Sequence, residues 1–426
     1  MKKLLTSFLI LGLSVNFMFA AGKGFFRHRW FEIKADVPVD ISNNAISVSD
    51  FLVKDVVIDL QDLCDNLPEK GFNFAAAVDP YVGLNLNLRK FNFGFGAGAE
   101  VYSNIGTSKD VFEFIAYGNK IGESVSVDLD AYLDTFAYAE VHFGTKFGKL
   151  STLIQPAVFG TVAHAVSQDS YVKFNNTADG QFDIDVNALF NIYSEFSSED
   201  FKNKTYTDFN VILNKIIPTI GFDISGSASY EVSDILTVNT SARIPIVPSR
   251  LSQATPFKYS MNKQISLDSL LKKDSEDEES DTTDTQESQP AEEEESDNGF
   301  GDTYSVDYIL HRPLKFSLGA EFHPFGNFMN YYGSLGFGLR HPFAQNTDEL
   351  DAYFDYLLGI RLSLLNIVQF SVSTERTDEV YKHKAMLSLS VRLVQIDAGV
   401  ALESTSLANS FKGQGVGAFV TAYVGL

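Results

Sequence analysis

The 426-residue sequence holds seven histidines, one cysteine and one tryptophan, so few of its residues could carry catalysis or hold a metal. Glu140 and His142 stand two residues apart, the spacing that puts both on one face of a β-strand. Beside a serine, such a pair would suit acyl transfer, with the histidine taking the serine's proton. No HExxH, Walker, GxSxG or paired-dinucleotide motif is present, and the other histidines are scattered, with Arg340 and His341 adjoining at a strand end. Acid–histidine pairs arise readily in a polar lumen. The sequence therefore points to a non-enzyme, with no catalytic residue, cofactor or metal assigned. The single cysteine, Cys64, excludes an intramolecular disulfide, a cysteine-rich zinc site and an iron–sulfur cluster. The net charge of −22 argues against a nucleic-acid partner.

The elements that carry Glu140 and His142 alternate with a period of two. Phe72, Phe74, Ala76, Val78, Val82, Leu84, Leu86 and Leu88 share one side, with Asn73, Asp79, Tyr81, Asn85 and Asn87 on the other. The pattern restarts with Phe91, Phe93, Phe95, Ala97, Ala99 and Val101, and returns in 220–232, 314–323, 328–340, 367–375, 384–393 and 414–426. Several runs reach ten residues or more, long enough to cross a bilayer at a tilt. After residue 21 no run of 18 apolar residues occurs, so helical spans are excluded.

Fourteen strands are expected, at roughly 28–41, 72–88, 91–104, 134–147, 150–166, 219–232, 235–247, 312–324, 328–341, 352–364, 367–376, 382–393, 396–404 and 413–426. Links after even-numbered strands have two or three residues, whereas links after odd-numbered ones include 42–71, 105–133, 167–218 and 248–311. Short turns on one rim and long loops on the other are the pattern of an all-β transmembrane antiparallel barrel with both termini in the periplasm. The apolar faces then meet outer-membrane lipid and the polar faces a lumen. By this register Glu100, Glu140, His142, Arg243, Glu321, Arg361, Glu375 and Arg392 line that lumen. Both signs of charge are mixed, without the single-sign ring that sets ion selectivity.

The outer loops contain helical stripes. Leu52, Val56, Leu60 and Leu63 lie on one stripe of 50–67, Phe112 and Ile115 on one of 109–117, and Phe209, Ile212, Leu213 and Ile216 on one of 208–217. Two readings stay open: the helices pack on one another as a lid, with Cys64 inside, or their apolar faces form a groove that admits a hydrophobic ligand. Residues 1–20 read as a secretory signal peptide, with Lys2-Lys3 ahead of an apolar run and Ala20-Ala21-Gly22 at the cut. Residues 21–426 then form the barrel. Within the loop 268–303, residues 274–297 carry thirteen acids and no base, a composition that stays solvated and disordered. The alternating last strand, Phe419 to Leu426, suits the barrel-assembly machinery as a partner during biogenesis.

Fourteen strands, a leader and helix-bearing outer loops, with the segment Phe112-Glu113-Phe114-Ile115-Ala116-Tyr117-Gly118-Asn119 after the third strand, resemble the outer-membrane long-chain fatty acid transporter family, above all its spirochaetal members. The resemblance implies uptake of hydrophobic small molecules such as long-chain fatty acids. Family members open with an Asn-Pro-Ala hatch that plugs the lumen. That sequence is missing before the first strand here, so a plug would come from a loop. A general diffusion porin, or a barrel that anchors a surface adhesin, remains the competing reading. A protease site placed in 274–297 is expected to be cut on intact cells, while one at Gly148-Lys149 is protected. Cleavage at both would show an inverted barrel or an odd strand count.

Overall fold

The computed structural model describes residues 29–47, 60–88, 90–118, 124–176, 181–266, 298–343, 351–365, 367–391 and 393–426. The expected signal peptide, Leu52, Val56, Arg392 and the acidic run 274–297 lie outside these. Among the described residues, no helix is long and apolar enough to cross a membrane.

In chain order the elements are β1 (Phe31–Asn43), α1 (Leu60–Asn66), β2 (Phe72–Val78), β3 (Tyr81–Asn87), β4 (Phe91–Thr107), α2 (Asp110–Tyr117), β5 (Ser124–Phe147), β6 (Leu150–Ser167), β7 (Tyr171–Asn176) and β8 (Gln181–Tyr193). Then come α3 (Ser198–Asn203), α4 (Phe209–Ile216), β9 (Gly221–Ser233), β10 (Leu236–Val247), β11 (Ser249–Ser266), β12 (Gly299–Phe300), β13 (Tyr304–Leu310) and β14 (Leu314–Phe322). The chain ends with β15 (Met329–Arg340), β16 (Asp351–Leu364), β17 (Val368–Thr377), β18 (Val380–Val391), β19 (Val394–Ser404) and β20 (Gly415–Gly425). All strands belong to one sheet. β20 pairs antiparallel with β1 from Glu32↔Gly425 to Ser42↔Gly415, which closes the sheet into a barrel without edges.

Against the roughly fourteen strands expected, the described residues form twenty strand segments, several of which continue one another along the same partner strand. The segment 72–88 is split by Asp79-Pro80, although its register on β4 continues from Val78↔Val101 to Tyr81↔Gly98. Proline has no N–H to give the ladder there. β5 begins ten residues before the expected Asp134. The stretches 167–218 and 248–311, expected as loops, carry β7, β8, β11, β12 and β13. Their alternation is diluted by Asn, Asp, Lys and Ser, so nothing apolar marks them as strand.

The wall is widely interrupted between β8 and β9. β6 pairs with β9 from Leu150↔Tyr230 to Phe159↔Gly221, and with β8 from His164↔Tyr193 to Ser167↔Phe190. Between those two partners, residues 194–220 leave the sheet as α3 and α4. Across the gap, the Thr161 amide donates to Ser249 Oγ at 3.1 Å. Ile154 and Val158 of β6 are exposed while Ala157, Phe159 and Thr161 are buried, so the period of two points Gly160 outward. A Cβ on Gly160 would collide with Ile216. α4 thus lies against the outside of the wall, and only glycine allows that approach. α3 is set by a capping box between Ser197 and Asp200. Burial alone raises the Asp200 carboxyl, but Ser197, Thr205 and Lys215 together hold it below the usual carboxylate range.

The molecule is apolar outside and polar inside. Phe95, Leu318, Phe354 and Val400 are each more than half exposed, whereas His142, Asp223, Glu321 and Glu403 are at most 1% exposed. A surface of that kind is stable only against lipid. Leu318→Arg should cost about 2–4 kcal/mol, as a charge on the lipid face near the midplane does. Ser317→Arg, one residue away and facing the lumen, should cost little. Urea unfolding of each variant refolded into vesicles measures both, and equal costs would contradict the assigned faces.

Candidate functional site

The lumen contains a cavity of about 740 Å3. It runs from Asn87, Asn92, Lys146 and Ser151, near the short-turn rim, up to Glu100, Arg312, Arg340 and Asp378. Its lower wall is hydroxyl-rich, with Ser225, Ser227, Ser229, Ser241 and Ser317. Above it, side chains from strands that are not neighbours meet across the lumen and close it.

Arg312 forms the first crossing. It stands in the break between β13 and β14, and Pro313 behind it ends the ladder. Its Nη2 donates to Glu100 Oε1 of β4 at 2.7 Å, and its Nη1 to Asp223 Oδ2 of β9 at 2.8 Å. The guanidinium lies 4.3 Å from the Tyr138 ring centre, on β5. Arg243 of β10 also donates to Glu100, at 2.6 Å. Two guanidinium groups on one carboxylate leave a positive excess, which Asp223 balances.

Arg340 forms the second crossing. Its guanidinium lies 4.4 Å from the ring centre of Tyr102 on β4, 4.7 Å from that of Tyr353 on β16 and 5.6 Å from that of Tyr132 on β5, and it pairs with Asp351. The tight turn Asp378-Glu379 between β17 and β18 reaches into the same level. Both residues have positive φ, 47° and 72°, the backbone that two-residue hairpins require. The Tyr102 hydroxyl donates to the Asp378 carbonyl at 3.0 Å, and Lys315 and Arg340 each stand 3.6 Å from the Asp378 carboxylate. Arg243 Nη2 and Arg340 Nη2 are buried without a hydrogen bond, although Arg340 Nη2 keeps the 3.6 Å ion pair with Asp378.

The residues expected in the lumen are placed as follows. Glu100 is the hub of the first crossing. Glu140 Oε1 is 2.8 Å from His142 Nε2, and Tyr81 and Asn85 hold the same ring at 3.1 and 3.2 Å. Glu140 shares β5 with His142, and Tyr81 and Asn85 come from β3, on the far side of β4. Glu321 accepts from Asn330 at 3.1 Å, Glu375 pairs with Lys384 at 2.6 Å, and Arg361 lies 4.9 Å from the Tyr332 ring centre. The loop helices do not converge. Leu60 opens α1, Leu63 is half-buried, and α1 packs on α2 through Tyr117, whose hydroxyl donates to Asp65 at 2.6 Å. Phe112 stacks near Phe72, Ile115 lies within α2, and Cys64 is buried. On the other helix, Ile216 is buried against the wall and Ile212 half-buried, while Phe209 and Leu213 are exposed. α1 and α2 pack on each other, whereas α4 lies against the wall.

Arg312, Arg340, His164 and Asp378 were not expected at the site, for separate reasons. Arg312 has the outward parity of β14 and enters only because the break turns it. The register of β6 against β5 shifts between Phe136↔Thr161 and Thr135↔Ala163, and that bulge swings His164 inward. Asp378 lies in a turn, which carries no parity. Arg340 shares the inward parity of Gly336 and Gly338, so that signal was in the sequence.

No protein-family model and no curated protein matches the chain. Among solved structures it is similar to the Pseudomonas putida toluene transporter TodX, at 8% identity over 98% of this chain and 96% of that one, with a TM-score of 0.43. It is similar to the Ralstonia pickettii toluene transporter TbuX, at 8% identity over 93% and 89%, TM-score 0.43. It is also similar to a Pseudomonas aeruginosa FadL homologue, at 10% identity over 93% and 90%, TM-score 0.45. Likeness at that level carries no functional argument, and the chemistry of the lumen has to supply one.

Glu100→Gln should leave the two arginines short of a counter-charge and destabilise the barrel by about 3 kcal/mol. Single-channel recording should also detect openings that the parent lacks. A variant as stable and as silent as the parent would mean that Glu100 does not hold the crossing.

Proposed function

We propose that this is an outer-membrane channel that takes up hydrophobic compounds such as long-chain fatty acids, one molecule at a time, through a lumen that rests closed. The observation that carries the reading is the meeting of tyrosine faces with guanidinium N–H groups that lack a hydrogen bond, at the head of a 740 Å3 cavity. A volume of that size is in the range of small-molecule sites. The tyrosine faces suit an apolar chain, and Arg243 and Arg340 suit its carboxylate. Export through a cleaved leader and assembly by the barrel machinery belong to the same reading, because an apolar-outside barrel needs the outer bilayer.

A general diffusion porin is the second reading, favoured by the serine-lined lower lumen. Side chains crossing between Glu100, Arg312 and Arg340 oppose a permanently open pore. A fluorescent long-chain fatty acid should bind saturably to the refolded barrel, and the variant Arg340→Ala should bind it at least tenfold more weakly while still assembling. If the parent shows no saturable binding and conducts steadily in planar bilayers, the porin reading replaces this one.

A further inference from the structure

Above the arginine crossings, three strands bring Asp134, His164 and His341 together. One ligating atom from each lies within 4.8 Å of the other two. Asp134 projects from β5, His164 from β6 beyond its bulge, and His341 from the residue after β15. Asp134 and His164 are buried, His341 is half-buried, and Asp134 also lines the cavity. The Asp134 Oδ1 to His164 Nδ1 distance is 2.6 Å, and Asp134 Oδ2 lies 3.8 Å from His341 Nε2. The two imidazole ring centres are 5.3 Å apart.

We propose that Asp134, His164 and His341 form a site for a zinc-class divalent metal ion in the outer part of the lumen. Two imidazoles and one carboxylate are a ligand set that such ions accept. In tetrahedral coordination, ligand atoms at about 2.1 Å from the metal stand about 3.4 Å from one another. With one oxygen of Asp134 as ligand, three ligating atoms that lie within 4.8 Å of one another reach that spacing by shifts of about 1.4 Å or less. His341 has a φ of 47°, a left-handed conformation that histidine adopts more readily than most side-chain-bearing residues, and its Nε2 lies on the Asp134 side.

The outer partner of His164 fits the same role. The Tyr308 hydroxyl lies 3.1 Å from His164 Nε2, and Tyr193 stacks on Tyr308 with ring centres 4.1 Å apart. Without metal, Nδ1–H donates to the Asp134 carboxylate, and Nε2 accepts from the tyrosine. When a metal takes Nδ1, the ring's single proton moves from that atom to Nε2, with no net release, and the hydroxyl turns to accept it. A tyrosine can do both, so His164 stays oriented in either state. Three protein ligands leave the fourth position for water, as in open zinc sites.

Cobalt(II) alone serves as the probe, because its visible spectrum distinguishes low-coordinate nitrogen and oxygen ligation from the hydrated ion. The full-length refolded chain should take up one Co2+ with low-coordinate bands, displaced by Zn2+. His341→Ala should abolish those bands, Tyr308→Phe should weaken binding about tenfold, and His383→Ala, on β18 and stacked against Phe411, should change nothing. Folding of each variant is read from its heat-modifiable migration in gels. If His164→Ala does not fold, His341→Ala still decides, because His341 lies after the strand rather than within it. Absence of the low-coordinate spectrum in the parent, or its survival in His341→Ala, overturns the site. Binding with only hydrated-ion bands, as the acidic run 274–297 would give, overturns it as well.

Discussion

In hydrocarbon, a backbone N–H or C=O without a partner costs several kcal/mol, and no water is there to relieve it. Everything else in the structure answers to that constraint. It requires the β1–β20 ladder, whose eleven residue pairs join the two ends of the chain. It also confines irregularity to places where a side chain can help. At the wide interruption between β8 and β9, the Thr161 amide finds Ser249 Oγ and α4 covers the outside. Asp79-Pro80 is tolerated because Ala99 donates to the Pro80 carbonyl at 2.9 Å, so the neighbouring strand keeps its bond.

Closing the wall around polar faces creates a second problem, the charges that then face each other. Glu100, Asp223, Arg243 and Arg312 would each be costly alone in a narrow lumen, and together they neutralise one another. The same holds for Asp40 with Lys382, 2.5 Å apart, beside the buried Glu403. These networks tie strands that share no backbone ladder. A lumen cross-linked in this way is a stiff structure, with Arg243 Nη2 and Arg340 Nη2 still without a hydrogen bond.

What the sequence revealed follows the same division. Strand positions were legible wherever lipid imposes a strict period of two, as in 91–104, 150–166 and 352–364, each within three residues of the observed limits. The ends of α2 and α4 were legible from their stripes and stop signals. The strands of the outer loops were not, because water on both faces removes the period. At the site, parity located Glu100, Glu140, His142 and Arg243. It failed at Arg312 and His164, since a chain break and a bulge each shift parity by one and leave no mark in composition. Asp134 followed the right parity, but the expected strand began at that residue.

The turn at Asp378 ties the order of assembly to the sealing of the lumen. Its partners Lys315 and Arg340 are near in the chain, but Tyr102 belongs to β4, separated by 276 residues. Contacts of such sequence separation form late, because the long loop between them has to be closed first. While the β1–β20 seam is still open, the two sides of the lumen are free to stand apart, and the turn has no opposite wall to reach. An unfinished barrel of this protein is therefore also an unsealed one. Kinetically, the last step that removes the strand edges is the step that makes the membrane tight again.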